Sequence, residues 1–571
     1  MLIPTKAAHS RPFGLIVHLL HTIATLILTI FGIELSILPS IYASESDDRG
    51  VPNIVLILAD DLGYGDIKSF GGDRCQIDTP HFDRLAREGM RFTDAHANAS
   101  VCVPSRVAIM TGRYPWRFGP PVRGGPWGFL GTRLPTDQHT LGTMLRSAGY
   151  RTGYVGKWHL GTQMQTTDGK TQGPTNVDYG MPLTIGPPQC GFDDSFILPG
   201  SLDMFPYAFV RDNHWVGDVT AQKGWSAFNR VGPAAEDFED TKVLDTFSAE
   251  AERFIRENAA GAKRGKPFFL YLALTAPHTP TSPSAKFEGK SSIGIYGDFV
   301  MEADACVGRV LAALDAQGLD NDTLVIATSD HGAAPYAGRR RKATFLQLKE
   351  LEKEGHYSSG PFRGYKFSVY EGGFRVPFVA RWPAVVPART TCNRLIGLND
   401  LMATLAEITD TKLATSEAPD STSILPSLKD PTADSGGTSM VFEATRARAI
   451  RSGQWKLALC PGSGSEGRFG NSPPREPAWR AALKSFGRAP TIQKELQQAP
   501  FLQLFDLEND PSESNNLAVD HPEKVRELIA LLESQIASGR STPGPPLTND
   551  NQNIKLFPAV PQFVWKKAKA K

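Results

Sequence analysis

The sequence predicts an α/β fold: a large, mixed but mostly parallel sheet flanked by helices, followed by a smaller C-terminal α+β domain with an antiparallel sheet and one helix. Three observations predict it. Short runs such as Asn53-Ile-Val-Leu-Ile-Leu58 are continuously apolar, which fits a parallel strand buried on both faces. Helix-like stretches alternate with those runs, as they do when helices cover both sides of one sheet. The chain has 571 residues, more than one hydrophobic core supports, so a second and smaller domain is expected.

The elements follow in order. Lys6 and Arg11 precede an apolar stretch from Phe13 to Tyr42, and Ala43 precedes the acidic Ser44-Glu-Ser-Asp-Asp48. Residues 1–43 therefore read as a secretory signal peptide, or, because the stretch is long enough to span a bilayer, as an uncleaved anchor. Either reading predicts export. A first domain is placed at 51–425. Its first strand ends in Asp60-Asp-Leu-Gly-Tyr-Gly-Asp66, and Thr79 to Gly89 reads as a helix closed by glycine. The small, polar run Ala95 to Ser100 reads as a loop. Pro104 suits the first position of the next helix and Gly112 its left-handed cap, which sets Cys102 just before a helix N-terminus with Arg106 one turn on. Thr140 to Ser147 is helical, and the strand Tyr150 to Val155 runs into Gly156-Lys-Trp-His-Leu-Gly161. Thr162 to Asp245 is loop-rich. The strand Phe268 to Leu274 ends in Thr275-Ala-Pro-His278, a helix spans Phe299 to Gln317, and the strand Thr323 to Thr328 ends in Ser329-Asp-His-Gly332. An insertion from Ala333 to Gly360 carries a basic run, Arg339-Arg-Arg-Lys342, and a helix-like Phe345 to Glu354. Ser416 to Gly437 marks the boundary before a C-terminal domain and tail at 438–571. Strands are expected there at Met440 to Glu443, Arg446 to Leu459 and Leu502 to Leu507. A helix from Pro522 to Ile536 follows, its apolar stripe Val525, Leu528, Ile529, Leu532 and Ile536 fit to cover a small sheet. The Gly/Pro/Asn-rich Gly539 to Asn553 reads as a surface tail.

Ligands of open parallel sheets bind beyond the carboxyl ends of the strands. Each polar cluster above falls at such an end, which predicts one composite site. Asp60, Asp61 and Asp330 converge there. Two carboxylates about 4 Å apart repel by roughly 4 kcal/mol at the effective dielectric of a protein site, so they need a cation or must take up protons. A hard oxygen-ligated ion, calcium first and magnesium second, resolves this; the competing reading is that Asp60-Asp61 only caps a turn. Cys102 is a small buried cysteine, a thiolate activated by the helix end and Arg106, or a precursor of something else. Lys157 and His159 alternate after one strand and can share a side; His278 and Lys366 stand at similar positions. The net charge of +1 gives no support to nucleic-acid binding. The six cysteines are scattered, with no zinc spacing, and no disulfide framework is expected.

The motifs Cys102-Val-Pro-Ser-Arg106 with Thr111-Gly-Arg113, Asp60 to Asp66, Gly156 to Gly161, Ala276-Pro-His278 and Thr328 to Gly332 resemble those of the type I, formylglycine-dependent sulfatases. Arg363-Gly-Tyr-Lys366, Glu371-Gly-Gly-Phe-Arg-Val-Pro377 and Leu504 to Pro511 extend the resemblance, in the same order along the chain. It implies an arylsulfatase-like member of the alkaline phosphatase superfamily, with that superfamily's fold. Asp60, Asp61, Asp330 and His331 would be the metal ligands, joined by Cys102 after a formylglycine-generating enzyme has modified it during biosynthesis. Asn is common in the family where His331 stands, and Leu where Met110 stands. Arg106 and Lys157 would hold the modified residue, His159 would act on it, and His278 with Lys366 would bind sulfate and assist the leaving group. The aldehyde hydrate would attack sulfur through one hydroxyl, and its second hydroxyl would then expel sulfate. Alternatives within reach are a phosphomonoester or phosphonate hydrolase of the same superfamily, or an inactive sulfated-glycan-binding protein if Cys102 stays unmodified.

A sulfated polysaccharide or its oligosaccharides is the expected substrate. Arg123, Trp127, Asp203, Arg211, His214 and Trp215 are the candidates for binding it, offering aromatic faces and charged groups to sugar hydroxyls. Oligomeric state is open.

Overall fold

The computed structural model describes residues 51–556 except 121, 123, 135–136, 225–229, 339–346, 434–436, 445–446, 461 and 465–501. The expected signal or anchor at 1–43, Arg123, the basic run 339–342, Phe345 and Arg446 therefore lie outside the described residues. The strands of the large sheet are β1 (Asn53–Asp60), β2 (Met90–Phe92), β3 (Arg151–Lys157), β4 (Asp194–Leu198), β5 (Val210–Arg211), β6 (His214–Trp215), β7 (Phe268–Pro277), β8 (Thr323–Ser329), β9 (Phe378–Arg381) and β10 (Thr390–Cys392). Their order in space is β10-β2-β9-β8-β1-β7-β3-β4-β5-β6. The five central strands β8-β1-β7-β3-β4 are all parallel, and antiparallel pairs flank them at β8-β9, β9-β2, β4-β5 and β5-β6. Every residue of β1, β7 and β8 is buried, which is what the continuous apolar runs demanded.

Helices cover this sheet. α1 (Pro80–Glu88), α4 (Val243–Ala262) and α5 (Ile295–Gln317) pack together with β7 and β9, while α2 (Cys102–Thr111), α3 (Leu141–Ser147) and α6 (Leu401–Ile408) form a second group. The expected helix around Pro104 begins earlier than the proline rule suggests. Cys102 is already the first helical residue, Val101 is the N-cap, and Pro104 occupies the third position, still within the turn whose N–H groups have no intrahelical partner. Gly112 ends α2 at φ 63°, and a Cβ there would meet Ala418 and Met402 at 2.7 and 2.8 Å. Only glycine fits.

The small sheet is antiparallel, ordered β11 (Ser439–Glu443), β12 (Arg448–Ser452), β13 (Trp455–Ala458) and β14 (Gln503–Asp506). The stretch expected as one strand, Arg446 to Leu459, is a hairpin, because Gly453 at φ 56° lets the chain turn between Ser452 and Trp455. Successive side chains point to opposite faces. Val441, Ile450, Leu457 and Leu504 pack with Val525, Leu528 and Leu532 of α7 (Pro522–Ala537). Phe442, Ala449, Ala458 and Phe505 pack on Val369, Tyr370 and Phe374 of the main body. The stripe read from the α7 sequence thus covers one face, and the large sheet's own loops cover the other. The described residues from Val51 onward form one compact unit. No disulfide joins the six cysteines, all of them buried. Among the described residues no helix is long and apolar enough to cross a membrane.

Candidate active site

Four neighbouring strands deliver the site. β8 ends at Asp330-His331, β1 at Asp60-Asp61, β7 at His278 and β3 at Lys157. The turn after β1 is tight: Asp61 is left-handed at φ 64°, which bends its carboxylate back over the strand end. Its N–H donates to Asp330 Oδ1 at 3.2 Å, and the Leu62 N–H donates to Ser329 Oγ at 2.9 Å. Helix α2 then points its first residue, Cys102, at this cluster. Ser105 of the same turn donates to the Asp330 carbonyl at 2.5 Å.

The segment carrying Lys366 is fastened to the β1 turn. Gly65 N–H donates to the Ser358 carbonyl at 2.7 Å, and His356 Nε2 lies 2.9 Å from Asp66 Oδ1. Asp66 Oδ2 accepts from Gly63 N–H at 2.8 Å and from the Tyr296 hydroxyl at 2.5 Å. Asp66, part of the quoted motif but given no role from the sequence, is therefore the anchor of that turn. His356 and Tyr296 lie outside the motifs, and nothing in their local sequence singles them out.

The charges balance in detail. Lys157 bonds Asp60 Oδ2. Lys366 donates to both Asp61 oxygens, at 2.7 and 2.9 Å, and lies 3.4 Å from Cys102 Sγ. Arg106 braces the floor. Its Nε and Nη2 lie 3.1 and 3.0 Å from Asp330 Oδ2, its Nη1 donates to the Lys157 carbonyl at 3.1 Å, and Asp60 Oδ1 is 3.6 Å away. Three carboxylates thus face three cations. A divalent ion added here leaves the site two charges positive, suited to an anionic ester.

The residues fit such an ion. Single ligand atoms of Asp60, Asp61, Cys102 and His331 all lie within 4.8 Å of one another. Asp60 Oδ1 is buried with no hydrogen-bond donor. His331 Nδ1 lies 3.0 Å from the Gly332 carbonyl, to which it can only donate, which leaves Nε2 as the ring atom to meet a cation, 3.3 Å from Asp61 Oδ1 and 3.2 Å from Cys102 Sγ. Acceptors converging on one point call for a cation. Asp330 borders the group, Oδ1 standing 3.7 Å from His331 Nε2, with both oxygens already accepting from Asp61 and Arg106.

Burial and charge set the protonation. Burial works to raise Asp60, but Lys157, Arg106 and Lys366 outweigh it and hold the carboxyl well below the usual range. Burial pushes Asp61 up to about 6, although Lys366 and His331 pull it down. Burial also pushes the Cys102 thiol up to about 12, overriding Lys157 and Lys366. Burial, with Lys366 beside His278 and Lys157 beside His159, keeps both imidazoles well below their usual value and neutral. His278 Nδ1 donates to the Thr279 carbonyl at 2.6 Å, while His159 Nδ1 has no hydrogen-bond partner.

The remaining candidates divide. Asp203 comes within 4.0 Å of His278 Nδ1, and half-buried Trp127 lies with Phe205 at 5.1 Å between ring centres. Both border the site. Arg211, His214 and Trp215 do not join it: they form the hairpin at the far edge of the sheet, where Arg211 pairs with Glu250 over the Phe196 ring and Trp215 packs on Tyr179. His214 is exposed and bonds the Asp212 carbonyl. Edge packing explains Arg211 and Trp215. Arg230, beside Asp203, carried no sequence signal.

Sheet, strand-end cluster and charge set define an enzyme that acts on anionic esters. The sulfatase family model matches residues 52–411, and the chain belongs to that family. An N-acetylgalactosamine-6-O-sulfatase of Bacteroides thetaiotaomicron is 33% identical over 521 residues, covering 85% of this chain and 93% of that one. Rat steryl-sulfatase is 33% identical over 427 residues, 66% of this chain and 70% of its own. A solved Bacteroides thetaiotaomicron structure, from work on the metabolism of multiple glycosaminoglycans, aligns with a TM-score of 0.69 at 31% identity, covering 85% of this chain and 98% of that one. The fold expected from the motifs is the fold found, and the enzyme is a sulfatase.

Proposed function

We propose that the protein is an exported sulfatase that releases sulfate from a sulfated polysaccharide or its oligosaccharides, using a formylglycine made from Cys102 and a calcium ion, with magnesium second. The observation that carries this reading is the position of Cys102: the first residue of α2, inside the Cys-x-Pro-Ser-Arg motif, 3.2 Å from His331 and 3.4 Å from Lys366. The name of the Bacteroides relative supports a sulfated sugar. The steryl-sulfatase likeness pulls toward an apolar alcohol. A wall holding Asp203 and Arg230 suits a hydroxylated leaving group better. Residues 1–43, as signal peptide or anchor, are the segment that carries such an enzyme out to polysaccharide. We assign catalysis to 51–425 and the small sheet with its tail to 438–571.

Asp60, Asp61, His331 and residue 102, with Asp330 beside them, would hold the cation, which would supply positive charge for the sulfuryl group, and a formylglycine at residue 102 would supply the nucleophilic oxygen. The chain's own residues do the rest. Lys157 and Lys366 remain ammonium groups, because Asp60 and Asp61 outweigh the burial that would neutralise them. They place positive charge where the sulfuryl oxygens gather it. Arg106 and Ser105 keep Asp330 and the start of α2 in register. His159, buried, neutral and with one unused ring nitrogen, takes the proton from residue 102 that releases sulfate. His278 and Lys366 flank the departing alcohol oxygen.

The test is chemical. The peptide spanning residue 102, from protein shown to release sulfate, is expected to lack sulfur and to react with hydrazines. Cys102→Ser is expected to stall after one turnover, since a serine has no second hydroxyl. An intact thiol in fully active enzyme overturns the mechanism, and faster turnover of an aryl phosphate than of the matched aryl sulfate overturns the substrate class.

A further inference from the structure

We propose that Asp203 is a specificity residue of this site, accepting a hydrogen bond from the sugar hydroxyl that neighbours the scissile sulfate. The inference rests on the sulfated-sugar reading above and adds what meets the leaving group. Asp203 Oδ1 has no hydrogen-bond donor in the fold, although the side chain is only 13% exposed. A carboxylate so enclosed and so unpaired is costly unless a ligand completes it. Burial raises its pKa, with Arg230, Lys157 and Lys366 pulling the other way.

The surroundings keep that oxygen open. Arg230 donates to the Asp203 carbonyl at 2.8 Å and stays 3.8 Å from Oδ2, so it fixes the backbone and leaves the carboxylate available. The Arg230 guanidinium lies 4.6 Å over the Trp127 ring, and the Gly128 N–H donates to the Phe205 carbonyl at 3.1 Å. The Trp127 turn and the loop from Asp203 to Phe205 are thereby one wall, with charge and an aromatic face side by side.

What the wall faces follows from His278. This imidazole lies between two carboxylates, Nε2 3.8 Å from Asp61 Oδ2 and Nδ1 4.0 Å from Asp203 Oδ1. Asp61 belongs to the cation cluster, and Asp203 approaches the other nitrogen of the same ring. A sulfate held at the cluster with its leaving oxygen toward His278 presents the attached sugar to Asp203. The donor that Asp203 meets is then the hydroxyl nearest the ester, which in a 6-sulfated hexosamine is the 4-hydroxyl, two carbons away.

The experiment uses the full, formylglycine-bearing protein, with N-acetylgalactosamine 6-sulfate, its 4-deoxy analogue and an aryl sulfate. Asp203→Ala is expected to lower kcat/KM on the hydroxylated sugar about 10- to 100-fold, the effect of losing a hydrogen bond to a charged group. On the deoxy analogue the same substitution is expected to cost at least tenfold less, and Asp203→Asn, which keeps an acceptor oxygen, to fall between. Equal losses on all three substrates would mean that Asp203 only holds the fold, and no loss on the hydroxylated sugar would mean that it meets no hydroxyl; either overturns the proposal. Wild-type protein that turns over the aryl sulfate but no sulfated sugar overturns the sugar reading itself, a result distinct from both.

Discussion

Asp60 Oδ1 has no donor and stands among ligand atoms of Asp61, Cys102 and His331, so it is incomplete without a cation, whereas both Asp61 oxygens already accept from Lys366. Asp330 is the member whose role is divided, since it also carries Arg106 and the Asp61 N–H. Replacing it by Ala leaves the buried Arg106 without its main partner and confounds binding with folding. Asp330→Asn keeps the shape and removes the charge. Calcium affinity, followed by titration calorimetry, is expected to drop at least tenfold while the far-ultraviolet spectrum stays native. Affinity within twofold of wild type would exclude Asp330 from the ion's surroundings. At this scale the residue types were legible in the sequence, because acids, lysines and histidines at strand ends serve few purposes together. The partners were not: nothing beside Arg106 in the sequence points to Asp330 or to the Lys157 carbonyl, both of which it braces.

Among the elements, α1 owes its place to a carboxylate on another helix. Asp304 of α5 accepts from the His81 and Phe82 N–H groups at 3.1 and 2.8 Å, filling donors that the first turn of α1 cannot pair itself. Burial pushes the Asp304 carboxyl up to about 7, from an ordinary 3.8, although both N–H bonds favour its charged form. The folded state therefore binds more protons than the unfolded one between about pH 4 and 7, and this group's contribution to stability is present below that window and declines as pH rises through it. The slope is at most about 1.4 kcal/mol per pH unit. Asp304→Asn keeps an acceptor and removes the titration, so its melting temperature is expected to gain on wild type between pH 5 and pH 7.5. Parallel profiles would show that Asp304 does not titrate in this range. Sequence periodicity found both helices, since an apolar stripe is local information. It could not show that one caps the other, because 223 positions separate Asp304 from His81.

Across the whole molecule, the small sheet is keyed to the large one by buried charge. Lys456 of β13 lies 2.9 Å from both Glu371 and Glu513, all three side chains fully buried. Glu371 also meets His96 at 2.8 Å and Arg375 at 2.9 Å, and its N–H donates to Glu513 at 2.6 Å. Burial would raise Glu371, but Lys456, His96 and Arg375 prevail and hold it well below the usual range. The Asp94, His96 and Glu371 grouping could hold a metal by its atom types, yet arginines and Lys456 already occupy those oxygens, so it is an ionic joint. Lys456→Met is expected to cost about 3–5 kcal/mol in denaturant unfolding, the penalty for stranding a buried charge. A loss under about 1 kcal/mol would show that the joint is dispensable. The sequence by itself determined the central strands β1, β3, β7 and β8, the helices α1, α2, α3, α5 and α7, the strand-end acids and the Cys102 motif, because each depends on a short pattern of polarity or on adjacent residues. β4 falls in the stretch read as loop-rich, and α4 and α6 were not read from the sequence. Only the tertiary structure decided that Glu371 and Arg375 join the sheets, that Arg106 turns to Asp330, that His278 stands between Asp61 and Asp203, and that Arg211, His214 and Trp215 lie apart. Those pairings cross tens to hundreds of positions, and what fixes them is packing and the cost of leaving a buried charge alone, which no local stretch of sequence records.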